Sequence, residues 1–143
     1  MRRFVLLMLI LLVACSPGQL AVSQNGIEVF NAQVRVAGNG AQTVAAGYLL
    51  VKNTNAEADQ LIGASCDFAE ASLHETKMKG DVMTMNAVDS VEIPAGALLE
   101  LRSGSYHVML LNLKRELKTG EIVTITLEFK RAGQVSFPAR VGR

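Results

Sequence analysis

Both histidines of the sequence, His74 and His107, and four of its six methionines, Met78, Met83, Met85 and Met109, fall in one stretch between positions 74 and 109. The other two methionines, Met1 and Met8, belong to an apolar leader. Methionine used only to fill a core would be scattered over the whole chain, yet the remaining apolar segments rely on Val, Leu, Ile and Phe. Thioether sulfur is a poor ligand for hard cations and for Zn²⁺ but a good one for Cu(I), and imidazole suits copper as well. Two nitrogens with two sulfurs therefore point to cuprous ion. Ca²⁺ or Mg²⁺ would need convergent oxygen ligands, and no acidic cluster has the spacing to supply them. A blue-copper electron-transfer centre would need a Cys thiolate beside its histidines, and none lies near His107.

Such ligands need elements to bring them together, and the chain around them has an apolar period of two. IEVFNAQVRVA (27 to 37), AGYLLVKNT (46 to 54), ADQLIGASC (58 to 66), ASLHETKM (71 to 78) and DVMTMNAV (81 to 88) read as strands, as do ALLELRSG (97 to 104), YHVMLLNL (106 to 113), EIVTITLEFKR (121 to 131) and QVSFPARV (134 to 141). Short strands separated by Gly, Pro, Asn and Asp, with no helical stripe between them, predict an all-β antiparallel sandwich or barrel. Within it, LHETKM and DVMTM flank Lys79-Gly80, which predicts a hairpin with those two residues as its loop. That register sets His74 directly opposite Met85, with Cβ atoms about 4.5–5.5 Å apart. His107 and Met109, two apart on one strand, share a face. Met83 shares a face with Met85 and is either a spare sulfur or an apolar skirt, the skirt being preferred. Met78, at the hairpin tip, reads as exposed packing. Glu75 and Tyr106 point to the opposite face and receive no metal role. Cys66 fits a half-buried thiol better than a fifth ligand.

The N-terminus carries a different message. Arg2 and Arg3 precede ten apolar residues, Phe4 to Val13, followed by Ala14 and Cys15. A membrane-crossing helix needs about 20 apolar residues, so residues 1–14 read as a signal peptide. LVAC at 12 to 15 resembles the lipobox of bacterial lipoproteins, which makes Cys15 a diacylated N-terminus in the membrane, each buried methylene contributing about 0.8 kcal/mol. Ser16 resembles the signal for outer-membrane sorting. Residues 15–26 then form a lipidated tether and 27–141 a single domain. Losing Arg2 and Arg3 takes the formal charge from +1 to about −1. There is no basic patch with interleaved aromatics and no phosphate loop, so neither nucleic acid nor a small-molecule substrate is expected. With Cys15 lipidated, Cys66 has no partner for a disulfide within the chain.

The spacing of His74, Met85, His107 and Met109, H-x10-M-x21-H-x-M, resembles the signature of the PCu(A)C family of bacterial periplasmic copper chaperones. AGYLLVKNTNAEADQL, GDVMTM, IPAG, GSYHVMLLNL and LKTGEIVTITLEF are similar to segments of that family, so the resemblance covers most of 27 to 135. It implies a cupredoxin-like or Ig-like β-sandwich, Cu(I) held at the surface by those four residues, and delivery of copper to cytochrome c oxidase, particularly its CuA centre. Many relatives carry a Met- and His-rich C-terminal extension. This sequence ends FPARVGR, so a second, Cu(II)-capable tail site is not expected. A metallochaperone passing Cu(I) to an oxidase subunit or to another copper chaperone is the expected function, from a periplasmic, membrane-anchored position. A lipoprotein that sequesters copper, or a β-sandwich that binds other proteins without metal, are the alternatives. An oxidoreductase is disfavoured, since no group for shuttling electrons or protons accompanies the ligands.

Overall fold

The structure is a computed structural model and describes residues 21–37 and 44–142. Every element in it is a strand: β1 (Val22–Gln24), β2 (Ile27–Ala37), β3 (Val44–Asn53), β4 (Asp59–Ser65), β5 (Glu70–Lys79), β6 (Val82–Ala87), β7 (Val91–Ile93), β8 (Leu98–Leu101), β9 (Tyr106–Leu111), β10 (Ile122–Phe129) and β11 (Gly133–Gly142). Alternation decides which side of each strand is buried. In β10, Val123, Ile125, Leu127 and Phe129 point inward, and in β11 Val135, Phe137, Ala139 and Val141 do the same. One core cluster joins these residues to Leu73 of β5 and Val108 and Leu110 of β9.

The strands form one open hydrogen-bonded path, β6-β5-β9-β3-β2-β11-β10-β4-β7, with β1 added to β2 and β8 to β3. Side chains from its two halves meet in the shared core, so the path is folded over itself as a sandwich. All pairings are antiparallel except β2 with β11. β3 changes partner midway: residues 44–47 pair with β9 and 49–52 with β8. Tyr48 stands at that seam. Opposite it, β2 carries a bulge between Phe30 and Gln33, with Asn31 at a φ of 56°.

Two expectations need correcting. The expected tether, 15–26, is not one throughout, because Val22–Gln24 forms β1 and pairs with β2 across an Asn25-Gly26 turn. Both turn residues have positive φ, 52° and 76°, the conformation that a two-residue type I′ hairpin demands and that Asn-Gly supplies. The second correction is the register of the β5–β6 hairpin. The loop is Gly80-Asp81, not Lys79-Gly80, and Lys79 pairs with Val82. Gly80, at a φ of 63°, takes the first loop position, where a type II′ turn requires glycine. His74 therefore faces Ala87, and Met85 faces Thr76. Every pair moves by two residues, an even shift, so no side chain changes face.

Candidate metal centre

β5 is the strand that assembles the site, because it lies between β6 and β9. On one side His74 is directly opposite His107 of β9, and Ser72 is opposite Met109. On the other side Thr76 is opposite Met85 of β6, which makes Met85 a diagonal neighbour of His74. His74, Met85, His107 and Met109 thus share the face of β6-β5-β9 that looks away from the core, since Leu73 and Val108, one step along, are buried within it. Glu75 and Tyr106 pair with each other on the opposite face.

The two imidazoles are close, with ring centroids 6.0 Å apart and planes inclined by 38°. Their nitrogens are differently occupied. His107 Nδ1 lies 3.1 Å from the Ser105 carbonyl oxygen. A carbonyl only accepts, so Nδ1 carries the proton and Nε2 keeps its lone pair. The same Ser105 carbonyl accepts the Thr76 backbone N–H at 3.0 Å, so one group fixes both the His107 tautomer and the approach of β5. His74 Nε2 lies 3.1 Å from Ser72 Oγ. Its Nδ1 is buried and has no hydrogen-bond partner. Were Nδ1 the protonated nitrogen, a buried donor would lack an acceptor; with Nε2 donating to Ser72, Nδ1 holds a lone pair for which the protein supplies no donor. Burial, and after it the neighbouring His107, hold the His74 imidazole below the usual histidine range. That shift favours the neutral His74 ring, the form that ligates a metal. Among the described residues no group of three or more His, Cys, Asp or Glu comes together, and the thioethers of Met85 and Met109 are the soft side chains that share this face with the two rings.

Accessibility is graded across the face. His107 is 3 % exposed, His74 and Met109 are half-buried, and Met85 on the edge strand is 48 % exposed. Met83 lies further out, paired with Met78 near the hairpin tip. Cys66 sits elsewhere, between β4 and β5, packed against the core with its Sγ donating to the Ala69 carbonyl at 3.4 Å. Burial raises its pKa, which keeps it a thiol rather than the thiolate that binds metals. Cys15 lies outside the described residues.

Three contributors escaped the sequence reading. Ser72 and Ser105 each precede a histidine by two residues, a spacing that puts them beside it on a strand and was there to be noticed. Tyr48, whose ring centroid is 6.4 Å from that of His107, becomes a neighbour only through the β3–β9 pairing, and nothing local to AGYLLV announces it.

The described residues thus form an open-edged β-sandwich with two imidazoles and two thioethers on one face of its β6-β5-β9 end. Residues 27–141 match the family described as "Putative lipoprotein LpqE-like", and the chain belongs to it. It is 37 % identical over 118 residues to "Putative lipoprotein Lxx21020" of Leifsonia xyli subsp. xyli, which spans 81 % of this chain and 68 % of that protein. Among solved structures it is similar to the copper-bound PCuAC domain from PmoF2, with a TM-score of 0.70 and 26 % identity, covering 85 % of this chain and 96 % of that one. It is also similar to the solution structure of CuI-DR1885 from Deinococcus radiodurans, with a TM-score of 0.61 and 32 % identity, covering 78 % of this chain and 76 % of that one.

Proposed function

We propose that this chain is a copper-carrying lipoprotein, a metallochaperone rather than an enzyme, that holds Cu(I) on His74, His107, Met85 and Met109 and passes it to an acceptor protein. The observation that carries the reading is the buried, unpartnered Nδ1 of His74, on a ring whose centroid is 6.0 Å from that of His107 and on the face that carries Met85 and Met109. A buried polar atom without a partner costs stability, and a cation that accepts its lone pair removes that cost. Thioethers beside it favour Cu(I) over Zn²⁺ or hard cations. The solved relatives include a copper-bound domain and a Cu(I) form, which supports the choice of metal.

Delivery is favoured over permanent sequestration by the exposure of Met85 on an edge strand. An incoming ligand can replace that sulfur first while the less accessible histidines still hold the ion. The acceptor is then a second soft-ligand copper site, with the CuA centre of cytochrome c oxidase as the candidate that the family resemblance supplies. Lipid on Cys15 would hold the carrier at a membrane surface facing the bacterial periplasm, the outer membrane being favoured by Ser16. Anaerobic Cu(I) titration against a competing chelator tests the central claim. One tightly held ion per chain is expected, with at least about a tenfold loss of affinity, about 1.4 kcal/mol, in His107→Ala. A folded chain that takes up no Cu(I) would overturn the reading.

A further inference from the structure

The β5–β6 hairpin exposes apolar side chains that do nothing for the core. Among the described residues seven large hydrophobics are exposed, and four of them, Met78, Val82, Met83 and Met85, lie on this one hairpin. All six residues of β6 are exposed, and the strand ends the sheet. An edge strand is usually protected by charge or proline, yet VMTMNA has neither. Three of the four exposed side chains are methionines. They share the face of His74, whereas Val82 alternates to the other.

The hairpin register makes this more than a composition bias. Met78 and Met83 are directly opposed, so their Cβ atoms are about 4.5–5.5 Å apart. Each sulfur lies two bonds beyond Cβ, on an arm free to turn, because Met78 is 62 % and Met83 64 % exposed. Two thioethers so placed can close on one ion. Met85 follows Met83 by two residues on the same face and is the neighbour of His74. The thioethers therefore run in file from the hairpin tip to the histidines.

We propose that Met78 and Met83 form a second, outer subsite for Cu(I), a loading station for the inner centre, with Met85 as the sulfur between the two. Transfer is ligand exchange: a bond from copper to Met78 or Met83 breaks as one to Met85 forms. Copper stays Cu(I), the thioethers stay neutral, and no electron or proton moves. Two thioethers without nitrogen hold the ion more weakly than the inner set, so the outer station fills second and empties first. The idea rests on the copper reading above but can fail separately from it.

Methionine-methyl NMR of the full chain, labelled at its methionine methyl groups, separates the two during titration with Ag(I), an air-stable soft stand-in, and with anaerobic Cu(I). The first equivalent should shift Met85 and Met109, and the second should shift Met78 and Met83. The double variant Met78→Leu, Met83→Leu keeps apolar volume at exposed positions. It should lower the stoichiometry from two ions to one, retain first-ion affinity, and slow loading from a Cu(I) donor several-fold. If Met85 and Met109 respond while Met78 and Met83 stay unmoved through the second equivalent, the outer subsite is refuted and the inner centre stands. If Met78 and Met83 respond while Met85 and Met109 do not, the outer subsite stands and the inner assignment falls.

Discussion

At His74 two effects act in the same direction: burial with the nearby His107 favours the neutral ring, and only the neutral ring can give a lone pair to copper. The group's pKa is lower in the folded chain than its ordinary value of 6.5. Protons therefore bind the unfolded chain more strongly, and the stability of the metal-free protein from this group is complete above about 6.5 and lost as pH falls through the folded value. Copper affinity should follow a related course. It should hold level around neutrality, weaken below the ordinary histidine range, and lose part of that pH dependence in His74→Ala; chelator competition at several pH values measures both. A wild-type affinity unchanged into clearly acidic solution would remove the histidines from the site. Sulfur makes the complementary case, because thioethers carry no competing proton. Met109→Leu keeps volume and apolarity, so stability should change by less than about 1.5 kcal/mol, while Cu(I) affinity should drop about tenfold or more, about 1.4 kcal/mol. Thermal melting and chelator competition on one sample read the two effects, and unchanged affinity would exclude that sulfur.

Among the elements, the β5–β6 hairpin carries two of the four candidate ligands, and all six residues of its outer strand are exposed. Its turn depends on Gly80 at a φ of 63°, and a Cβ there would meet no atom within 4 Å. Any cost of substitution is therefore torsional, about 1–3 kcal/mol for a non-glycine residue held in a sparsely populated backbone region. Gly80→Val should loosen this hairpin locally, weakening Cu(I) binding through Met85 and speeding amide exchange at β6 with little effect on β10 and β11. Uniform exchange across all three strands would contradict that local assignment. The hairpin also shows what the sequence could convey. Its two strands and the shared face of His74, Met83 and Met85 were legible from period-two alternation, because alternation survives any even shift. The register was not, since Lys79-Gly80 and Gly80-Asp81 both make two-residue loops and only the backbone shows where the glycine must stand. The short strand β7, Val91–Ile93, was missed for a related reason: three residues are too few to display a period, and β4 supplies its pairing from a distant part of the chain.

At the scale of the molecule, β1 ties the chain to the domain early in the sequence. β1 is stitched into the domain: Thr54 N and Thr54 Oγ1 both donate to the Gly26 carbonyl at 2.8 Å, Asn55 Nδ2 to that of Asn25 at 3.1 Å, and Asn25 Nδ2 to that of Ala132 at 2.9 Å. Asn-Gly between Val22–Gln24 and Ile27 is among the strongest hairpin signals a sequence can carry. The three residues before it, Val22–Gln24, are too few to display a period of their own, so the pairing with β2 shows only in the structure. Only residues 16–21 then separate Cys15 from β1, and at about 3.3–3.6 Å per residue the path from Cys15 to Val22 spans at most about 25 Å. If Cys15 is acylated, the domain is held close to the bilayer and its effective concentration towards a membrane-embedded acceptor is high. Cys15→Ser, exported by the same leader, should move from the membrane to the soluble fraction with its melting temperature and Cu(I) stoichiometry unchanged. Its copper transfer to an acceptor in the same membrane should slow by an order of magnitude or more, while transfer to a soluble acceptor should not. Fractionation and transfer kinetics on the same preparations decide the matter. A Cys15→Ser protein that stays with the membrane would show that something other than this cysteine anchors the chain.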